Sequence, residues 1–358
     1  MLVEGKNVLV TGGTGSLGQA VVRRLLTGEL GMPARIVVIS RDEAKQHDMR
    51  LSYLRRREAT DDVIYRNSTQ LLRFIVGDVR DYPSLVRAVR DAHLVINAAA
   101  LKQVPTCEYF PFEAIQTNLH GAQNLVRAIR ENRTPVETVV GISTDKACKP
   151  INVMGMTKAI MERILIEGNI GCETRFACVR YGNVIASRGS VVPLFKEQIA
   201  TGGPVTVTMK EMTRFLLTLD QAVDTVMAAV RSARAGETYV PKVPAARVEE
   251  LADIMIEMSR ASSKNGRTIE KVFTGIRPGE KVHEIMVSDE ECYRTTTRDG
   301  YYVIRPMLPE LAGEPAPPAP SGLSGEYSSS VITADTATLQ ALLRPYMEPT
   351  RDSAGSLA

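Results

Sequence analysis

A doubly wound α/β fold with a parallel sheet and a smaller C-terminal lobe is what this 358-residue sequence predicts, on three observations. A short apolar run at the N-terminus passes through a glycine turn into a helical pattern. Further short apolar runs then alternate with helical segments, as a parallel sheet with crossover helices requires. Small or polar residues stand where the runs end, and such sheets bind ligands outside those ends.

The first run, Asn7 to Thr11, leads into Gly12-Gly13-Thr14-Gly15-Ser16-Leu17-Gly18 and then the pattern Ala20, Val21, Val22, Leu25, Leu26. Gly12 permits a tight turn, Gly15 the close approach of a pyrophosphate, and Gly18 close packing of helix on strand, while the helix N-terminus attracts phosphate. The second run, Arg35 to Ile39, ends at Ser40-Arg41, with Lys45 one turn on. An acidic residue there would grip a free ribose 2'-hydroxyl. Arg41 and Lys45 instead suit a 2'-phosphate, so NADP is expected over NAD, against the presence of Asp42. Phe74 to Val76 precedes Gly77-Asp78-Val79, whose carboxylate can accept from an adenine amine. Leu94 to Ile96 precedes Asn97-Ala98-Ala99-Ala100, small enough for a cofactor to lie against the backbone. Thr138 to Ile142 delivers Ser143 and Thr144, and helices are expected at Pro83 to Arg90 and Asn118 to Glu131.

Composition sets limits. A net charge of +3 with few aromatics and no long basic run gives no footprint for nucleic acid. Five cysteines without Cys-x-x-Cys spacing and four histidines without ligand spacing argue against a metal site or a disulfide framework. No stretch approaches the ~18 apolar residues of a membrane span, and the N-terminus runs straight into a strand. A cytoplasmic, soluble protein with no membrane partner is expected.

Residues 1–182 are expected to form the NADP-binding Rossmann core, completed by later segments around 213–233. Residues 183–308 are expected to be mainly a substrate-binding lobe. The Pro/Gly/Ser-rich stretch 309–326 reads as a linker, and 327–358 as a tail with a helix from Thr336 to Leu343, capped by Asp335, which a neighbouring subunit could receive. Within the lobe, Arg188, Arg214, Arg277 and Lys281 are cations in predicted loops, suited to gripping a diphosphate by forked hydrogen bonds.

The most telling segment is residues 143 to 158, where Thr144-Asp145-Lys146 stands at a strand end and Met154 and Lys158, four apart, share one helical face. Cys148 between them reads as a small filler. Seven segments in order, Thr11 to Gly18, Ser40 to Glu43, Gly77 to Asp81, Ala99 to Pro105, Ser143 to Ala147, Arg180 to Asn183 and Arg277 to Lys281, resemble the extended short-chain dehydrogenase/reductases. Within these the chain resembles the UDP-N-acetylglucosamine 4,6-dehydratases of bacterial surface-polysaccharide and flagellin-sugar pathways, over about residues 5 to 305.

The resemblance implies an active-site Tyr where Met154 stands, although two kinds of dehydratase in the group also look to have Met: soluble ones that invert C5 and membrane-anchored ones that retain it. It implies hydride transfer from C4 to NADP, loss of the C5 proton and 6-hydroxyl, and hydride return at C6. Lys146 is then the base at C5, since a neighbouring oxidised nicotinamide favours its neutral form. Asp145 is the acid for the leaving hydroxyl, Thr144 binds the 4-hydroxyl, and Lys158 orients the nicotinamide ribose. Asp145, Lys146 or a water relay through Lys158 could deprotonate the 4-hydroxyl. The cofactor would also be met by Lys102, Asn118, Tyr181, Gly182 and Asn183, and the substrate by Lys102, Asn183, Ser190, Val191, Thr213 and Glu280 beside the four cations. Dimers or hexamers are implied. Alternatives are a nucleotide-sugar epimerase, a dehydratase that releases an unsaturated sugar nucleotide, and a non-catalytic NADP-binding sensor.

Overall fold

The computed structural model describes residues 1–53, 59–185, 190–262, 269–312 and 323–347, and divides into two compact units. The first comprises Met1–Tyr181, Asp220–Lys242 and Met286–Tyr327. Its core is a nine-stranded sheet. From one edge run β3 (Leu72–Val76), β2 (Arg35–Ser40), β1 (Asn7–Thr11), β4 (Leu94–Asn97), β5 (Thr138–Thr144) and β6 (Arg175–Tyr181), then the strands Thr238–Pro241, Tyr301–Ile304 and Thr295–Arg298. The seven from β3 to Thr238–Pro241 are parallel, and the last two join antiparallel. Strand order reverses between β1 and β4, so the crevice for a ligand opens beyond Thr11 and Asn97.

The apolar runs are continuous because parallel strands are covered on both faces. Val8, Leu9 and Val10 of β1 are fully buried, as are Val139 and Val140 of β5. Helix α1 (Ser16–Thr27) lays Val21, Val22, Leu25 and Leu26 on the sheet and ends at Gly28 in the left-handed conformation.

The second unit comprises Gly182–Leu219, Val243–Ile285 and Ser328–Ala358. Asn183–Val184, Thr213–Leu217 and Ala245–Arg247 form a three-stranded sheet, and Val205–Val207 pairs with Lys271–Phe273. Helices Val191–Ala200, Val248–Ser262 and Thr336–Met347 share one core that includes Phe195, Met255, Leu339 and Leu343. Asp335 does cap the last helix, accepting from the Thr338 amide at 2.8 Å. Leu339 and Leu343 are buried in this unit's own core, so that face of the helix is covered within the chain.

Two divisions differ from those expected. Residues 286–308, assigned by sequence to the lobe, belong to the first unit, since Thr295–Arg298 and Tyr301–Ile304 complete its sheet. The returning segment is 220–242 instead of one around 213–233, since Thr213–Leu217 pairs within the second unit. Of the expected linker, Pro309–Ala312 is a short helix and 313–322 lies outside the described residues.

Candidate functional site

Gly12 sits at φ +64°, and a Cβ there would come within 2.7 Å of the Ala99 backbone. The loop can lie this close to the end of β4 only with glycine. Thr11 fastens the two strand ends, its hydroxyl donating to Asn97 Oδ1 at 2.8 Å and accepting from the Ala99 amide at 3.2 Å. Gly15 caps α1 without any side-chain hydrogen bond and no acidic residue occupies the first turn, so amides near Ser16 and Leu17 are offered to an anion. A tight loop, a small-residue wall at Ala98 to Ala100 and an uncapped helix start fit the pyrophosphate of a dinucleotide.

At the end of β2 the charges are already engaged with one another. Asp42 caps the helix Glu43–Ser52, accepting from the Lys45 amide at 3.0 Å, and pairs with Lys45 Nζ at 2.7 Å. Its presence is thus accounted for by capping. Arg41 NH1 lies 3.9 Å from Asp78 Oδ2. Although burial opposes it, hydrogen bonds from Arg80 hold the Asp78 carboxyl below its usual range. Asp78 Oδ1 accepts from the Arg80 backbone amide at 2.9 Å and Oδ2 from Arg80 Nε at 2.8 Å, so the carboxylate expected to meet an adenine amine is already held by its neighbour. Ser40 is fixed by Gln46 Nε2, which also reaches the Ile75 carbonyl. Val79 is buried beside Gly121.

The catalytic candidates meet where β5 ends. Thr144, Asp145 and Lys146 run into a short 3-10 turn, Asp145–Ala147. Asp145 is fully buried; its Oδ1 accepts from Thr144 Oγ1 at 2.9 Å and from Lys146 Nζ at 3.0 Å, while Oδ2 has no hydrogen-bond partner among the described residues. Helix Val153–Glu167 backs onto this turn at Gly155, where a Cβ would stand 2.2 Å from the Lys146 carbonyl oxygen. Only glycine allows that approach, which sequence reading did not single out. Met154 packs with Cys107 and Ala114, flanked by Leu101, Val104 and Val153. Lys158 is buried and donates to the Ile142 carbonyl at 2.8 Å; burial lowers its ammonium to about 8. Asn118 lies in the π-helical turn Ile115–His120. Its amide bonds both polar backbone atoms of Leu101 and the Thr157 hydroxyl at 2.9 Å, so its side chain ties the loop holding Lys102 to the catalytic helix.

Sequence reading missed a buried charge cluster. Arg180, inside the apolar strand β6, pairs with Glu162 at 2.6 Å and Glu291 at 2.7 Å. A guanidinium in the run Phe176 to Tyr181 is itself the signal, because a buried charge demands partners.

In the second unit, Arg214 was expected in a loop but lies in the strand Thr213–Leu217, where it donates to the Thr213 and Val282 carbonyls at 2.7 Å and 3.1 Å. The alternation Thr213-Arg214-Phe215 belongs to a strand held between Asn183–Val184 and Ala245–Arg247. Thr213 Oγ1 meets His283 Nδ1 and Ser329 Oγ, each at 2.8 Å. Ser190 stands as N-cap of Val191–Ala200, yet its hydroxyl makes no capping bond. Ser190 Oγ, Asn183 Oδ1 and Glu280 Oε2 are buried atoms with no hydrogen-bond partner among the described residues. Arg277 is exposed and lies 3.9 Å from Glu280. Lys281 and Gly182 are partly buried, and Tyr181 is buried at the end of β6. Arg188 lies outside the described residues.

Comparison with known proteins gives consistent relatives. The chain is 39% identical over 311 residues to a UDP-N-acetylglucosamine 4,6-dehydratase (inverting) of Campylobacter jejuni subsp. jejuni serotype O:23/36, covering 86% of this chain and 85% of that protein. It is 43% identical over 303 residues to a UDP-glucose 4-epimerase of Rickettsia akari, covering 84% and 82%. Among solved structures, Pen from Bacillus thuringiensis aligns with a TM-score of 0.84 at 32% identity, covering 96% of this chain and 99% of that one. A family model described as polysaccharide biosynthesis protein matches residues 8–306. The chain therefore belongs to the polysaccharide biosynthesis protein family, among the extended short-chain dehydrogenase/reductases.

Proposed function

We propose that the chain is an NADP-dependent 4,6-dehydratase of UDP-N-acetylglucosamine that inverts C5. The observation that carries this reading is the Asp145 carboxylate, with one oxygen tied to Thr144 and Lys146 and the other buried without a partner. An epimerase needs no acid to expel a hydroxyl. A buried acceptor left open costs about 1–3 kcal/mol, so a group completed by substrate is the economical explanation.

A nicotinamide cofactor held at Gly12 to Gly18 would supply the hydride acceptor for C4 and the hydride donor for C6. Thr144 binds the 4-hydroxyl, whose proton passes to solvent by a water relay through Lys158 as C4 becomes a ketone. Lys146 takes the C5 proton once C4 is a ketone, and its 3.0 Å bond to Asp145 Oδ1 gives that proton a path onward. Asp145, protonated on Oδ2, gives that proton to the departing 6-hydroxyl, which leaves as water, while Oδ1 receives the proton from Lys146; a solvent proton then reaches C5 on the opposite face as hydride returns to C6. Met154 presents an apolar wall and takes no proton. Arg41 and Lys45 favour a 2'-phosphate, and the uncapped start of Val191–Ala200 with the open Ser190 hydroxyl favours the diphosphate of the substrate.

The Rickettsia relative's name favours a second reading, 4-epimerisation. Incubation with UDP-N-acetylglucosamine and, separately, GDP-N-acetylglucosamine, followed by mass, decides between them. Loss of one water from the UDP sugar is expected. An isomer of unchanged mass would establish epimerisation, and no conversion of either sugar with NADP supplied would sink both.

A further inference from the structure

Beneath the catalytic turn lies a charge cluster with no part in binding or proton transfer as derived above. Glu162 stands one helical turn after Lys158, and its carboxylate receives the Ser143 hydroxyl on Oε1 and Arg180 NH2 on Oε2, the latter at 2.6 Å. On its other side Arg180 NH1 donates to Glu291 Oε2 at 2.7 Å and to the Met286 carbonyl at 2.8 Å. Glu291 Oε2 also receives the Ser288 amide at 3.2 Å and lies 3.7 Å from Cys148 Sγ. All three charged side chains are at most 11% exposed.

Ser143 and Cys148 bracket Thr144, Asp145 and Lys146, so both ends of the turn reach the same cluster. The next residue, Lys149, adopts φ +44° and pairs with Asp289 at 3.3 Å and Glu326 at 2.8 Å. The exit from the turn is pinned as well. Stability alone is a poor account of the cluster, since buried ion pairs seldom outdo apolar packing of equal volume. What such a network fixes is position, and a shift of ~1 Å at a reacting group costs about 100-fold in rate.

We propose that Glu162, Arg180 and Glu291 form the positioning unit of the catalytic turn, acting through Ser143 at its entry and Cys148 at its exit. The kinetic consequence rests on the dehydratase reading, and the structural one stands apart from it. Ser143→Ala deletes one tie while leaving the ion pairs, and Glu162→Gln removes a charge. Both are made in the full chain and followed by amide hydrogen exchange at Lys146 and Cys148, whose N–H groups donate to Thr144 Oγ1 at 3.4 Å and the Asp145 carbonyl at 3.2 Å.

In Ser143→Ala these two amides should exchange on the order of tenfold faster while those of β1 and α1 are unchanged. Turnover should fall about 10- to 100-fold with KM for the sugar nucleotide within about threefold. Glu162→Gln should move the same amides further, and if that chain loses its fold Ser143→Ala still decides. Unchanged exchange at Lys146 and Cys148, or equal acceleration across every amide, would overturn the proposal. A wild type that converts no sugar nucleotide defeats the dehydratase reading, and the exchange data still decide the role of the cluster.

Discussion

Asp145→Asn separates the two proton transfers assigned to the turn. The amide is close in shape to the carboxylate, so its oxygen can keep the Thr144 and Lys146 bonds at 2.9 Å and 3.0 Å. At the position of Oδ2, now open, it puts an NH2 that can donate a hydrogen bond but cannot release a proton. Loss of a positioned acid costs ~100- to 10,000-fold, or about 3 to 5 kcal/mol of barrier at 1.36 kcal/mol per decade. Water loss should fall by that factor. Removal of the C5 proton by Lys146 should persist, so substrate recovered from D2O should carry deuterium at C5. The assay is mass spectrometry of substrate and product over time. Turnover above about a tenth of wild type, or parallel loss of exchange and dehydration, would refute the assignment of Asp145 as the acid alone.

Lys146→Ala should abolish both C5 exchange and dehydration while leaving cofactor affinity nearly intact, as calorimetric titration would read. Thermal stabilisation should be larger with NADP than with NAD, and Arg41→Ala should erase the difference; equal shifts in wild type would overturn the cofactor choice. Met154→Leu, which conserves volume and apolarity among Cys107, Ala114 and Val104, should keep most turnover, with a stability loss under about 1.5 kcal/mol. For Lys158, burial lowers the ammonium from 10.5 to about 8 in the folded chain, so between those values the unfolded chain holds more protons and stability rises with pH. Lys158→Met removes this charge penalty along with the bond to the Ile142 carbonyl, so its stability relative to wild type should be highest near pH 7, and denaturation curves should show that relative stability falling as pH approaches 10.

The ends of β1, β2, β4 and β5 were legible because strand, turn and helix signals there are local: Gly12, Ser40, Asn97 and Thr144 all stand at strand ends. What escaped was set by distant partners. Glu291 lies 111 residues from Arg180, and nothing in either neighbourhood names the other. Arg214 was expected in a loop, whereas pairing with Ala246, 32 residues on, makes it a strand residue. Asn118 was legible as a site residue but not in its role, since its partners, Leu101 and Thr157, are 17 and 39 residues away. The return of 286–308 to the first sheet escaped for the same reason: short runs such as Tyr301 to Ile304 look alike in either unit.

That late return also governs how the protein can be made. A ribosome that has delivered residues 1–181 has built six parallel strands, with β6 as an edge whose partner, Thr238–Pro241, is still to come. Arg180 then stands in that edge strand with Glu162 but without Glu291. A fragment cut at residue 285 lacks Glu291 and the two strands that finish the sheet, so it leaves an open edge available to another chain. The N-terminal part is thus not a separable nucleotide-binding module, and expression of it alone should yield aggregates, while nonsense changes as late as residue 290 should be as damaging as early ones.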